Sequence, residues 1–181
     1  VLGGTAFTAG SYDKYGYVSN PSIYVYNGIP YVAYIEHYNY EYNPTVLRYN
    51  STADSWDIVG SQQIAPDPQG AYSISSSHQI VADSGSGKLY YSADYVSMYV
   101  SASGTPYIAI NENILDDDHP LLSTHKVVVM EYSGSWNTVG FAGIGDYTCK
   151  GTPAILRTGD TTYLAYYEVD TSNSPYKNYL V

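Results

Sequence analysis

The chain has 181 residues and a formal net charge of −10, from 7 Lys+Arg against 17 Asp+Glu. That is one domain's worth of chain, enough to bury a core without staples, and its charge repels phosphate backbones and anionic lipid surfaces, which argues against nucleic acid as a partner. Tyrosine dominates the aromatics, 24 against 2 Phe and 2 Trp, and with 16 Gly and 9 Pro it points to many short strands joined by tight turns.

Only 13% of residues are charged, so solubility rests on Ser, Thr, Asn, Gly and tyrosine hydroxyls, a style expected outside cells. The single Cys149 has no intramolecular partner and reads as a small semi-buried side chain, with an intermolecular disulfide as the alternative. No apolar run approaches the roughly 18 residues of a membrane-spanning helix. The opening Val1-Leu2-Gly3-Gly4 carries neither a basic n-region nor an initiator methionine and reads as a processed or excised start. An extracellular or cell-surface location is the expectation.

Along the chain, the first unit occupies about residues 11–60. It reads as an A strand over Pro21–Val25, a glycine turn, a B strand over Gly28–Glu36, a loop, a C strand over Thr45–Tyr49 and a D strand over Ser55–Gly60, a hairpin-rich pattern. Asn20-Pro21-Ser22 and Asn43-Pro44-Thr45 read as turns, and their central proline disqualifies them as sequons. Asn50-Ser51-Thr52 is a sequon, an acceptor for an N-glycan at Asn50 on a surface turn.

The Ser/Gly/Gln/Pro-rich segment over about 61–95 holds another hairpin pattern, His78–Asp83, a Gly85-Ser86-Gly87 turn and Lys88–Tyr91, read as an inserted hairpin or a decayed half-blade. A second unit follows over about 96–140, with Val96–Val100, Gly104–Glu112, Val127–Tyr132 and Ser135–Gly140 in the same order. A third, partial unit covers about 141–181, with Pro153–Arg157, Asp160–Glu168 and Asn178–Val181.

These units echo one another. Both tryptophans sit in matching Ser-Trp-x-x-Val-Gly segments, Ser55–Gly60 and Ser135–Gly140, and Tyr31, Tyr107 and Tyr163 occupy one position of the B strand. Four antiparallel strands per unit is a propeller blade. The predicted fold is therefore all-β, a β-propeller-like array of four-stranded antiparallel blades with about three repeats. The segment Val1–Gly10 is similar to Val139–Gly145, so an N-terminal strand, from the same or a neighbouring chain, is expected to complete the last blade.

The segments Gly104-Thr105-Pro106-Tyr107-Ile108-Ala109, Tyr31-Val32-Ala33-Tyr34, Met130-Glu131-Tyr132-Ser133-Gly134 and the two Trp-x-x-Val-Gly runs resemble a family of bacterial secreted propeller repeats. The resemblance covers most of the chain outside 61–95. It implies a secreted or surface-anchored blade array and no assigned molecular function.

Candidate sites lie where the B strands end. Glu36, Glu112 and Glu168 hold equivalent positions, so they are expected around one rim, as an acidic ring for a cation or sugar hydroxyls or as loop caps. Beyond Glu36, His37-Tyr38-Asn39-Tyr40-Glu41-Tyr42 alternates aromatic and polar groups; His37, Tyr38, Tyr40 and Tyr42 suit stacking on sugar rings, or packing of a hairpin on a neighbouring blade. Beyond Glu112, Asp116-Asp117-Asp118 repel one another unless solvated or bridged by a hard cation such as Ca²⁺, although the spacing is not that of an EF-hand loop.

His37, His78, His119 and His125 are scattered, and no nucleophile-elbow motif lies near any of them. Arg48 and Arg157 are the only arginines, too few for a sialidase's three-arginine clamp. The sequence reads first as a non-enzymatic extracellular module that binds glycans or cell-surface proteins, or associates with itself as an oligomer or filament. The alternative is a glycoside hydrolase or lyase drawing a carboxylate pair from Glu36, Glu112 and Glu168.

Overall fold

The computed structural model describes residues 17–38, 41–61, 64, 73–74, 80–81, 88–116, 124–140, 144–145, 148–170 and 177–181. Among them the chain is all-β. Unit one is the antiparallel meander β1 (Tyr17–Tyr26), β2 (Ile29–Tyr38), β3 (Glu41–Asn50) and β4 (Ser55–Ile58). Two short strands, β5 (Ser73–Ile74) and β6 (Ile80–Val81), precede unit two: β7 (Lys88–Val100), β8 (Pro106–Asp116), β9 (Thr124–Tyr132) and β10 (Trp136–Thr138). Unit three is β11 (Thr148–Thr158), β12 (Thr161–Asp170) and β13 (Lys177–Leu180). Units one and two are thus four-stranded antiparallel sheets, joined at one parallel bridge between Tyr42 and Ser92.

Local chemistry explains the turns. Asn27-Gly28 closes the β1–β2 hairpin with φ of 48° and 77°, the two left-handed residues that a type I′ turn needs and that asparagine and glycine supply most readily. In units one and two the D strand continues past its tryptophan: Val59 donates to the Val46 carbonyl and Ile64 to that of Pro44, while Val139 donates to Val129 and Ile144 to Val127.

Alternation along the B strands assigns the faces. Tyr31, Ala33 and Ile35 share a core with Met98, Val100, Ile108 and Ile110, while Ala109, Val127 and Val129 share the next with Cys149, Ile155, Leu164 and Tyr166. Each unit therefore turns its Tyr31-type position toward the following unit, and the residue after it toward the preceding one. Unit two is covered on both faces.

Three expectations need correction. Asn20-Pro21-Ser22 is not a turn but a bulge inside β1, with Asn20 at φ 50°; the irregular register absorbs the proline. Asn43-Pro44-Thr45 is not a turn either, but buried strand in β3. A strand residue points its N–H and C=O to the same side, and the Pro44 carbonyl accepts from Ile64, so the missing N–H faces away from β2 and costs no bond to it. Finally, the Lys88–Tyr91 arm of the inserted hairpin pairs with β6 but is also the start of β7, continuous through Val100.

Candidate functional site

Glu36, Glu112 and Glu168 do occupy equivalent positions, but each is buried inside its strand rather than exposed at a rim. By alternation Glu36 shares a face with Val32 and Tyr34, Glu112 points into the layer between units one and two, and Glu168 into that between units two and three. The repeat that makes them equivalent also separates them, one to a layer. Among the described residues no three His, Cys, Asp or Glu side chains converge as a metal site requires.

Each layer treats its carboxylate differently. Thr45 Oγ1 donates to Glu36 Oε2 at 3.0 Å in a buried setting. Beside it, burial and then the Glu36 charge push the Tyr34 phenol above its ordinary range. Glu112 stands opposite Lys126 across β8 and β9, and Lys126 Nζ donates to the Gly145 carbonyl. Glu168 pairs across the sheet with Cys149. Burial, then the Glu168 charge, push the Cys149 thiol up to about 11, opposed by Lys126 and a backbone hydrogen bond at Val127.

Of the aromatic run beyond Glu36, His37 and Tyr38 end β2 and pair in register with Tyr42 and Glu41, so the segment is a hairpin. Tyr40 lies outside the described residues, as do the side chains of His37 and Tyr38. Tyr42 packs half-buried against the core shared by units one and two. Asp116 closes β8, paired with Leu89, while its side chain and Asp117, Asp118 and His119 lie outside the described set, as do Val1–Gly10 and His78. Asn50 ends β3: its Oδ1 accepts from the Thr52 and Ala53 N–H groups and its Nδ2 donates to Asp57 Oδ2 at 2.9 Å. A glycan there would replace one of the two hydrogens on that nitrogen.

Two features escaped the sequence reading. The first is a cleft of about 360 Å³ between units one and two, lined by Ser19, Asn20, Tyr42, Ala93, Asp94 and Tyr95. Its only sequence signal was an asparagine before a proline. The second is the outward face of unit three. Tyr31 and Tyr107 are 5% and 3% exposed, but Tyr163 at the same repeat position is 55% exposed, and Leu156, Tyr167 and Leu180 are exposed with it. Alternation along β12 puts Tyr163 and Tyr167 on one face, and cross-strand register adds Leu156 and Leu180.

No protein-family model matches the chain, and no curated protein matches it.

Proposed function

We propose that the chain is a non-enzymatic, extracellular module of propeller-type blades whose work is association, and that it associates with a second copy of itself through the outward face of unit three. The exposure of Tyr163 carries this reading. A single surface aromatic needs no explanation, but a sheet face with two tyrosines and two leucines does. At the same repeat position in units one and two, what covers the tyrosine is the next unit of the same repeat. The fitting occupant is thus another blade of this kind.

A second copy offers one on β1. Ile23 and Val25 are 68% and 57% exposed, whereas Met98 and Val100, their equivalents in unit two, are 6% and 1% exposed against unit one. Val32, Tyr34 and Leu47 on the same face are already buried, so contact falls on β1. In the existing interface the Arg157 guanidinium lies 5.0 Å over the Tyr107 ring. Arg157 and Val25 share one repeat position, as Tyr107 and Tyr163 share another, so Tyr163 of one copy is placed against Val25 of the next.

The burial of the three glutamates in separate layers supports a non-catalytic reading over a glycosidase, which needs two carboxyls flanking one bond. Sedimentation velocity of wild type, Tyr163→Asp and Val25→Asp tests the proposal. Both substitutions are expected to reduce the chain to a monomer that still unfolds cooperatively, with a midpoint lowered only by the lost association. Loss with Tyr163→Asp alone would indicate back-to-back pairing of unit three; loss with neither would sink the proposal.

A further inference from the structure

The cleft between units one and two is built by irregularities in both. The bulge at Ser19/Ser22 in β1 and the one at Ala93/Tyr95 in β7 meet there, and bulges commonly re-aim side chains at such places. Asn20, held at φ 50°, donates from Nδ2 to the Asp94 carbonyl at 2.7 Å, which ties one bulge to the other. His125 Nε2 on β9 stands 3.2 Å from Asp94 Oδ2. The Asp94 carboxylate is thus fixed through one oxygen, and among the described residues no donor reaches the other. Tyr42 and Tyr95, both half-buried, line the same cleft.

We propose that this cleft binds a neutral sugar, with Asp94 accepting from its hydroxyls and Tyr42 and Tyr95 contacting its ring. The volume, about 360 Å³, lies at the small end of ligand sites, which are roughly 300–1,000 Å³, and suits one or two sugar rings. Tyrosine offers a broad apolar surface with a polar tip, as a sugar's alternating C–H and hydroxyl surface demands. A single carboxylate with one unengaged oxygen falls short of the roughly 6–8 oxygen ligands a hard cation such as Ca²⁺ takes, whereas a sugar hydroxyl needs only one acceptor. A phosphorylated ligand is disfavoured by Asp94 and by the net charge of −10.

Isothermal titration of the intact chain with glucose, galactose, mannose and N-acetylglucosamine, each to about 50 mM, tests this, with choline as the cationic control. At least one sugar should bind saturably and choline should not. Asp94→Asn keeps the side-chain shape and should weaken the sugar about tenfold or more. Tyr95→Leu, at a half-buried position, should do the same and carries the test if Asp94→Asn fails to fold. No saturable binding of any of the four sugars overturns the proposal, as does sugar binding unchanged in both variants. Choline binding that depends on Asp94 would replace it with a cation site. None of these readouts depends on self-association, so the two proposals fail separately.

Discussion

Trp136 of unit two donates its indole N–H to the Val59 carbonyl of unit one at 3.0 Å. Its ring lies 5.4 Å from that of Tyr132, a pairing that Tyr49 and Trp56 repeat at 5.5 Å in unit one. The bond spans the two sheets at the point where the D strand of unit one runs on. Trp136→Phe keeps most of the ring and removes the donor, so it is expected to cost about 1 kcal/mol for the bond, with more from lost packing. Urea unfolding with a fluorescence-independent probe such as far-UV circular dichroism measures it.

Gly60 shows how close this approach is. Its φ is 80°, and a Cβ there would stand 2.8 Å from the Tyr132 ring and 2.9 Å from Trp136 Nε1. Gly28 has φ 77° but open space around it. Both alanine variants incur the left-handed penalty of about 1–2 kcal/mol, and only Gly60→Ala must also push two aromatic rings aside. Its midpoint should fall clearly below that of Gly28→Ala; equal midpoints would mean the rings yield freely.

Thr45 and Glu36 form a buried pair. Thr45→Val conserves the volume and removes the donor, leaving a buried carboxylate short of a partner, which costs about 1–3 kcal/mol. Thr45→Ser should recover most of that loss, and thermal unfolding of the three proteins side by side reads the difference.

Alkaline pH should destabilise the fold. The Cys149 thiol ordinarily ionises near 9.0, but the folded chain holds its proton to about 11. Between those values the native state keeps a proton that the unfolded state has released, so stability falls as pH rises. Tyr34, also raised, extends the decline at higher pH. Urea midpoints at pH 7.5, 9 and 10.5 follow the loss, and Cys149→Ala should flatten the earlier part of it.

The repeat was legible because it rests on residues whose roles are local. The Asn27-Gly28 turn, the Tyr-centred B strands and the paired tryptophans each declare an element without help from the rest of the chain. Ile64 and Ile144 carry the repeat further: each lies the same distance beyond its tryptophan, and each hydrogen-bonds the C strand at the same place. Asn20-Pro21 and Asn43-Pro44 misled because a proline's tolerance depends on which edge its missing N–H faces, which only strand pairing decides. The glutamates misled for a similar reason. An acid near a strand end reads as a rim, but Glu112 and Glu168 point into the layers between units and Glu36 is buried beside Thr45. The cleft at Asp94 arises from two bulges brought together by packing, and no linear pattern encodes that meeting.

The most direct test of self-association is the native mass of the chain across a concentration series, by light scattering with negative-stain images of the same samples. A mass rising from one chain to discrete multiples or growing filaments over the micromolar range is the predicted result. A mass that stays at 19.9 kDa throughout would contradict it and leave the face around Tyr163 without the partner assigned to it.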